Sequence, residues 1–504
     1  MIFIIRIINL GGYDKKKMKL IKKTIPLLVI ILILTATIST ASAATFTDLS
    51  TAISNTKSGD ILELNESYIF NALDTGFSQD GITLTKSITI NGNGNTIDLN
   101  SLGRLFKVQK NIQVILNNLT IINGKSTGTG GGVLWLENGN ITLNNIDIIN
   151  NTAKNFGGAI LQKKGTLNIN NSTLTNNTAG TGGLIYSTGG NINIENSLFD
   201  NNDASKTGVI YSQSKDNLSI INSIFTNNQG SDGGAIQATG SLYISDTLFK
   251  NNSGNRYGGA IYQVSGILTS NNNQFINNTA SESGGAIFSK KGTLIINDTL
   301  FENNTAYNHG GAIRAFEFLN ITDSVFTHNM ATGPANRDSR GGAINLVDGT
   351  GYISNTLFTN NSAKNGGAIR TNGTLYIDNT DFEDNTGVFD ANNILANDDG
   401  EVLIDSNSKY NANTSLNDSD YRAYNESNII KYYETPVNPN GTGNDTPVNP
   451  NGTDHNDTPV DPDTPVDPNN PRGIPMENTG MPMALLVLGL LVIIGSAVSR
   501  KKII

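Results

Sequence analysis

The strongest constraint in this sequence is a repeat. A glycine-marked tetrapeptide appears as GGVL at 131, GGAI at 157, GGLI at 182 and TGVI at 207, then as GGAI at 233, 258, 284, 310, 341 and 366. Successive copies stand 25 or 26 residues apart, with one 31-residue step between 310 and 341. A second marker runs in phase with the first, from ITLNNIDIINN through SLFDNN, TLFKNN and TLFENN to TDFEDN. A period of this length describes a unit that cannot bury its own apolar side chains and must stack on copies of itself.

One period, GGAIF-SKKG-TLIIN-D-TLFENN-TAYNH (284–309), holds runs of four or five residues in which aliphatic and polar types alternate, separated by Gly or Asn. Such runs are too short for helices and too regular for loops. The spacing predicts about three short strands and three turns per period, a triangular coil whose strands pair in parallel with the next coil at about 4.8 Å. The fold expected is therefore all-β: a parallel β-helix of around fifteen coils at about 25 residues each.

Two columns carry the detail. The fourth residue of the glycine marker is always aliphatic, from Leu134 and Ile160 to Ile344 and Ile369, and is expected to face the core. Three residues beyond the Phe-type position stands an asparagine in every copy: Asn151, Asn177, Asn202, Asn228, Asn252, Asn278, Asn304, Asn329, Asn361 and Asn385. Asparagine tolerates left-handed turns, and its amide can bond an identical amide one coil away. The column is expected to be a ladder at one corner, with the paired glycines supplying positive φ or close approach at another. FTDLSTAISN (46–55) has helical apolar spacing with Thr47 as the expected N-cap, and is expected to close the first coil. Past about 387 the pattern decays through a Tyr-rich stretch, the expected far cap.

Charged residues make up only 15% of the chain, there is no cysteine, and the net charge is −9. Disulfides and thiolate metal sites are thereby excluded, and nucleic acid is a poor partner for so acidic a chain. Residues 15–44 combine a lysine-rich start, an apolar run and the small residues ASA, the pattern of a secretory signal peptide cleaved after Ala43, with Met18 a better start than Met1. MPMALLVLGLLVIIGSAV (481–498) is uncharged and followed by Arg500, Lys501 and Lys502. As a helix it reaches about 27 Å, enough to cross a hydrocarbon core, with the basic tail on the cytoplasmic side. The intervening TPV-N/D-P repeats (435–470) cannot form sheet or helix and are read as a stalk on the order of 100 Å long. The expected division is signal peptide 1–43, β-helix 44–430 with regular repeats over 131–386, stalk 431–480, membrane anchor 481–499 and basic tail 500–504.

For function, the position after the aliphatic column is the most suggestive. It includes Trp135, Tyr186, Tyr211, Tyr262, Phe288, Arg314 and Arg370. Strand side chains alternate, so with the isoleucines inside these residues are expected to form an exposed stripe. Two readings of the stripe stand: foremost a side-chain ladder that only stabilises the strands, and beside it a contact surface, since aromatic faces suit stacking on sugar rings and the arginines supply donors, with extracellular glycans or proteins of other cells as the expected partners. Catalysis on such a scaffold needs clustered carboxylates, and no DxD-type cluster recurs on neighbouring coils. His309 and His328 read as exposed turn residues, and His455 falls in the stalk. Asp398-Asp399 is the one place that could touch calcium, but it lacks spaced acidic partners, so no metal or other cofactor is expected. Sequons are dense, at 65, 118, 140, 150, 176, 277, 303, 320, 360, 372, 440 and 451 among others, as in an extracellular glycoprotein.

The pairing of GGAI with FxxN, as in Gly284-Gly285-Ala286-Ile287 with Phe301-Glu302-Asn303-Asn304, resembles the repeat of polymorphic membrane proteins. That resemblance implies a right-handed parallel β-helix on a cell surface. With the TPV stalk and terminal apolar run, the whole arrangement is similar to the adhesin-like surface proteins of methanogenic archaea. It departs from the bacterial relatives, which end in an outer-membrane β-barrel rather than a single helix, and this implies a cell with one membrane. The function implied is a surface-anchored adhesin without enzymatic activity. A polysaccharide lyase or hydrolase on the same scaffold, or a spacer or coat element, are the alternatives.

Overall fold

A computed structural model describes residues 43–410, apart from 75, 78–79, 334–338, 397–399 and 406, together with 421–423 and 431–433. The expected signal peptide up to residue 42, the expected stalk from 434 on, the apolar run 481–498, Asp398-Asp399 and His455 lie outside the described residues; the first three residues assigned to the stalk, Lys431–Tyr433, instead form a strand paired with Leu403–Asp405. Among the described residues no helix is long and apolar enough to cross a membrane.

The described residues from Thr45 on form a parallel β-solenoid of about 13 turns, roughly 26 residues per coil. About thirteen coils form where the sequence suggests around fifteen. The repeat of 284–309 shows how a coil is made. Ile287–Ser289, Thr293–Asn297, Leu300–Glu302 and Thr305–Ala306 are its four strands. The first joins a 14-stranded sheet, the second and third a 28-stranded sheet and the fourth an 11-stranded sheet, counted over the described residues. The coil therefore has three sides, as expected, but one side is bent into two strands. The bend falls on a single Asn or Asp with φ near +50°: Asn272, Asp298 and Asp323 in successive coils. The next residue then braces it, the backbone N–H of Thr299 donating to Ser324 Oγ (3.2 Å) while its own hydroxyl donates to the carbonyl of Asn297 (2.8 Å).

Pairing in the 14- and 28-stranded sheets is in register, so like residues lie over like, while the 11-stranded sheet shifts register at Ala153/Phe156, Gly230/Asp232 and Ala363/Asn365. Ile261, Ile287, Ile313, Ile344 and Ile369 form one continuous row, each essentially without exposure. The 31-residue step leaves the row intact, since Ile313 still pairs with Ile344. Opposite it, the phenylalanines from Phe199 to Phe382 stack face over face with centroids 4.5–5.0 Å apart and planes within 14°. The strand pitch imposes that spacing, which matches ring thickness closely enough for a column of rings to fill the core.

The asparagine column is a buried ladder. Nδ2 of Asn278 donates to Oδ1 of Asn304 (3.0 Å) and to the carbonyl of Phe249 (3.0 Å). Its Oδ1 accepts both the side-chain and the backbone N–H of Asn252 (3.0 Å each). Every hydrogen-bonding site of the amide is used, which is what permits a polar group in a dry interior. The same bonds run from Asn151 to Asn385 at 2.9–3.0 Å and end on Asn393. The left-handed turn, however, belongs to the residue before: Asn277 and Asn303 have φ of 56° and 53°, and His328 takes the same place at 56°. The two jobs expected of one asparagine are split between neighbours, because a residue whose amide must reach the core cannot also be the one that turns outward.

The paired glycines divide their roles in the same way. Gly284 has φ of 67°, and a Cβ on Gly285 would lie 1.9 Å from the carbonyl oxygen of Gly311 on the next coil. At the start, Phe46–Asn55 is the helix, its N-cap Thr45 rather than Thr47, with Thr45 and Asp48 bonding each other's backbone N–H. The Thr47 hydroxyl instead donates to Asp74 (2.6 Å). Phe46, Leu49 and Ile53 are buried and Phe46 stacks on Phe70 at 4.3 Å, so the helix covers the first coil. At the other end the coils do not decay at 387: Ile394–Ala396 and Glu401–Asp405 continue the rows.

In these last coils Asp378 lies beside Asp405 of the next coil. Burial, then the hydrogen bond and charge of Asp405, push Asp378 up to about 6 from 3.8. Burial pulls Asp405 up as well, but bonds from Ser408, Asp378 and the backbone of Asn407 and Asn379 outweigh it and hold it low. Because the folded chain keeps the Asp378 proton more tightly than the unfolded one, this group's contribution is greatest below pH 3.8 and is lost as pH rises to about 6. Asp378→Asn should therefore raise the melting temperature at pH 7 and lose that advantage below pH 4, as thermal scans at several pH values would show. In the ladder, Asn278→Ala should cost about 2–4 kcal/mol in denaturant titrations, since it leaves buried donors unmatched. Asn277→Gly, at the exposed left-handed position, should stay within about half a kcal/mol.

Candidate functional site

Strand pairing places the proposed stripe in one row. Trp135, Leu161, Tyr186 and Tyr211 are successive partners, followed by Gln237, Tyr262, Phe288, Arg314, Asn345 and Arg370. The row does not form an exposed stripe. Trp135 is 9% exposed, Tyr262 7%, Phe288 4% and Arg370 3%, while Tyr186, Tyr211 and Arg314 are half-buried. Alternation does turn these side chains away from the isoleucine core, but a second layer covers them. Residues just before the glycine pair fold over the row: Phe156 stacks on Tyr186 (4.7 Å), and Tyr257 lies against Phe288 (4.5 Å) and Tyr262 (6.0 Å). Trp135 is covered by Arg104, Lys107 and Lys163, whose charged groups stand 4.2–4.8 Å from its ring centre.

Electrostatics follow burial. Desolvation pushes the Tyr262 phenol up to about 12 and the Arg314 guanidinium down to about 10. Arg314 is committed internally: it donates to Ser283 Oγ (2.8 Å) and lies over Phe316 at 5.0 Å. Burial raises Asp232, which Arg256 meets at 2.6 Å. Most of the row is thus a lateral core. His328 is exposed, as expected, while half-buried His309 makes backbone bridges to Ser283 and Arg340 in the line of residues that covers the row. Among the described residues no three His, Asp or Glu side chains come together as they would around a metal ion.

Where the aromatic covering gives way to lysines, a groove of about 710 Å³ opens on this side, with Leu161, Phe156 and Tyr186 among its lining. Lys110, Lys163 and Lys164 also line it, against a single carboxylate, Glu137. All three lysines are exposed. The Tyr186 hydroxyl donates to Gln213 (3.0 Å), which holds the ring in place against Phe156. Sequence reasoning singled out Tyr186 and missed the rest; Phe156 and Tyr257, each directly before a glycine pair, are the signal that a second aromatic line runs beside the first. Elsewhere, the sequon asparagines Asn118, Asn150, Asn176, Asn277, Asn303 and Asn360 occupy exposed left-handed corners, whereas Asn320 is only 5% exposed.

The fold thus defines a parallel β-solenoid with an internal amide ladder and a covered lateral row. Five segments, residues 222–239, 246–263, 274–290, 298–315 and 355–372, match the Chlamydia polymorphic membrane protein repeat. The matched unit of 298–315 runs from the left-handed Asp298 through Phe301 and Asn304 to the GGAI strand, so it contains the bend, the ring stack, the ladder and the glycine corner. No curated protein and no solved structure matches the chain.

Because Tyr262 is wedged between Tyr257 and Phe288, Tyr262→Ala should cost about 3 kcal/mol, and half-exposed Tyr211→Ala about 1. Denaturant midpoints of the two variants measure the difference; equal midpoints would contradict the lateral core.

Proposed function

We propose that this chain is a surface-displayed, adhesin-like β-helix protein that attaches to extracellular glycans or to surface proteins of other cells. The match of five segments to the polymorphic membrane protein repeat carries this reading. A stiff solenoid suits it physically, since register-locked coils about 4.8 Å apart make a rod of roughly 60 Å that can hold a binding face away from its base. Export through 1–43, a stalk over 434–480 and anchoring by a helix over 481–499 complete the proposal, and they rest on the sequence. So do right-handed winding, kinship with adhesin-like proteins of methanogenic archaea and N-glycosylation at the exposed sequons, Asn277 and Asn303 among them. The protein is read as a binder, without enzymatic activity or cofactor and without nucleic acid as partner.

Two measurements test the proposal. Protease added to intact cells expressing the chain should remove the solenoid while leaving a small anchored fragment. Beads carrying the full-length chain should adhere to cells or glycan-coated surfaces several-fold above bare beads. Protection from protease, or adhesion no better than bare beads, would refute it.

A further inference from the structure

We propose that the groove beside Leu161 binds a polysaccharide bearing carboxylate sugars, a uronic-acid chain; this rests on the adhesive reading and assigns it a site and a ligand class. The groove lies outside the segments that match the polymorphic membrane protein repeat, which begin at 222, so the repeat's own requirements do not account for it. Its residues divide into three kinds. Phe156 and Tyr186, stacked at 4.7 Å, and the floor residue Leu161 offer an apolar face of the kind that takes the C–H side of a sugar ring.

Lys110 comes from one coil and Lys163 and Lys164 from the second coil beyond it, with Glu137 on the coil between, so three ammonium groups stand around that face. On a chain of net charge −9 such a concentration is a local reversal of sign, and it selects for an anion. Lys163 is partly oriented by its place over Trp135 (4.8 Å), and Lys164 feels the charge of Asp216, itself engaged by Ser214 and the backbone of Gly190. Glu137, with Asn138, decides the kind of anion. A carboxylate can only accept hydrogen bonds, so it suits a ligand that carries free hydroxyls between its charges. A uronate chain has one carboxylate and two or more hydroxyls per ring, whereas polyphosphate and densely sulfated chains offer Glu137 few donors and much repulsion.

Calorimetric titration of the full-length chain with galacturonate oligomers tests the assignment, with the methyl-esterified oligomers, dextran sulfate and single-stranded DNA as comparison ligands. The free-acid oligomers should bind, more weakly as salt rises, and the esterified ones should not. The triple variant Lys110→Gln, Lys163→Gln, Lys164→Gln should lose about tenfold or more in affinity. Its melting temperature should fall only slightly, because all three side chains are exposed and Arg104 and Lys107 still cover Trp135. Phe156→Ala should weaken binding independently of salt. Unchanged affinity in the triple variant overturns the proposal, as does equal binding of the esterified oligomers or tighter binding of dextran sulfate or DNA. Bead adhesion by the same variants separates the two levels: adhesion by a protein that binds no uronate discards the groove and keeps the adhesin, while uronate binding without adhesion does the reverse.

Discussion

Parallel strands at a pitch of about 4.8 Å put every buried side chain directly over a copy of itself or of its equivalent, and the whole molecule depends on residues that tolerate this. Isoleucine does, because aliphatic surface has no direction. Phenylalanine does when rings tilt alike, as they do from Phe199 to Phe382. Asparagine does best of all, since a primary amide is donor on one side and acceptor on the other. A column of amides is self-complementary at any length, and its only unmet groups lie at its two ends. Here those ends are met by the backbone of Gly124 and by Asn393.

Charge is the residue property that the same geometry rejects. Stacking one carboxylate over another forces a shared proton or a shifted titration, as Asp378 and Asp405 show. Opposite charges one coil apart are acceptable, as with Asp232 and Arg256. This accounts for a chain in which only 15% of residues are charged and in which Asn, Ser and Thr take the polar positions. It also makes the three lysines around the groove stand out, because they sit where the stacking rule is relaxed by access to water.

The lateral core changes what the solenoid can do. A row with one face on the core and the other on solvent would have offered ligands a long aromatic strip. Covering by Phe156, Tyr257 and the lysines over Trp135 converts most of that strip into packing, and leaves a bounded groove where the covering is polar. On the proposed function, stability and recognition fall to different stretches of one row: Tyr262 and Phe288 pack between coils, while Tyr186 lies at the edge of open space.

Period, parallel stacking, the isoleucine row, the asparagine ladder and the starting helix over 46–55 were all determined by the sequence alone. A strict repeat leaves few ways to bury its apolar positions, and identical residues at identical phase have to meet. Other features belonged to the tertiary structure. Thr45 rather than Thr47 caps the helix because Asp74, far along the chain, claims Thr47. The left-handed turn falls one residue before each ladder asparagine because only then does the amide reach inward. The fate of Trp135, Tyr262, Phe288 and Arg370 was beyond strand alternation, which says which way a side chain leaves its own strand and nothing of what another part of the coil lays over it.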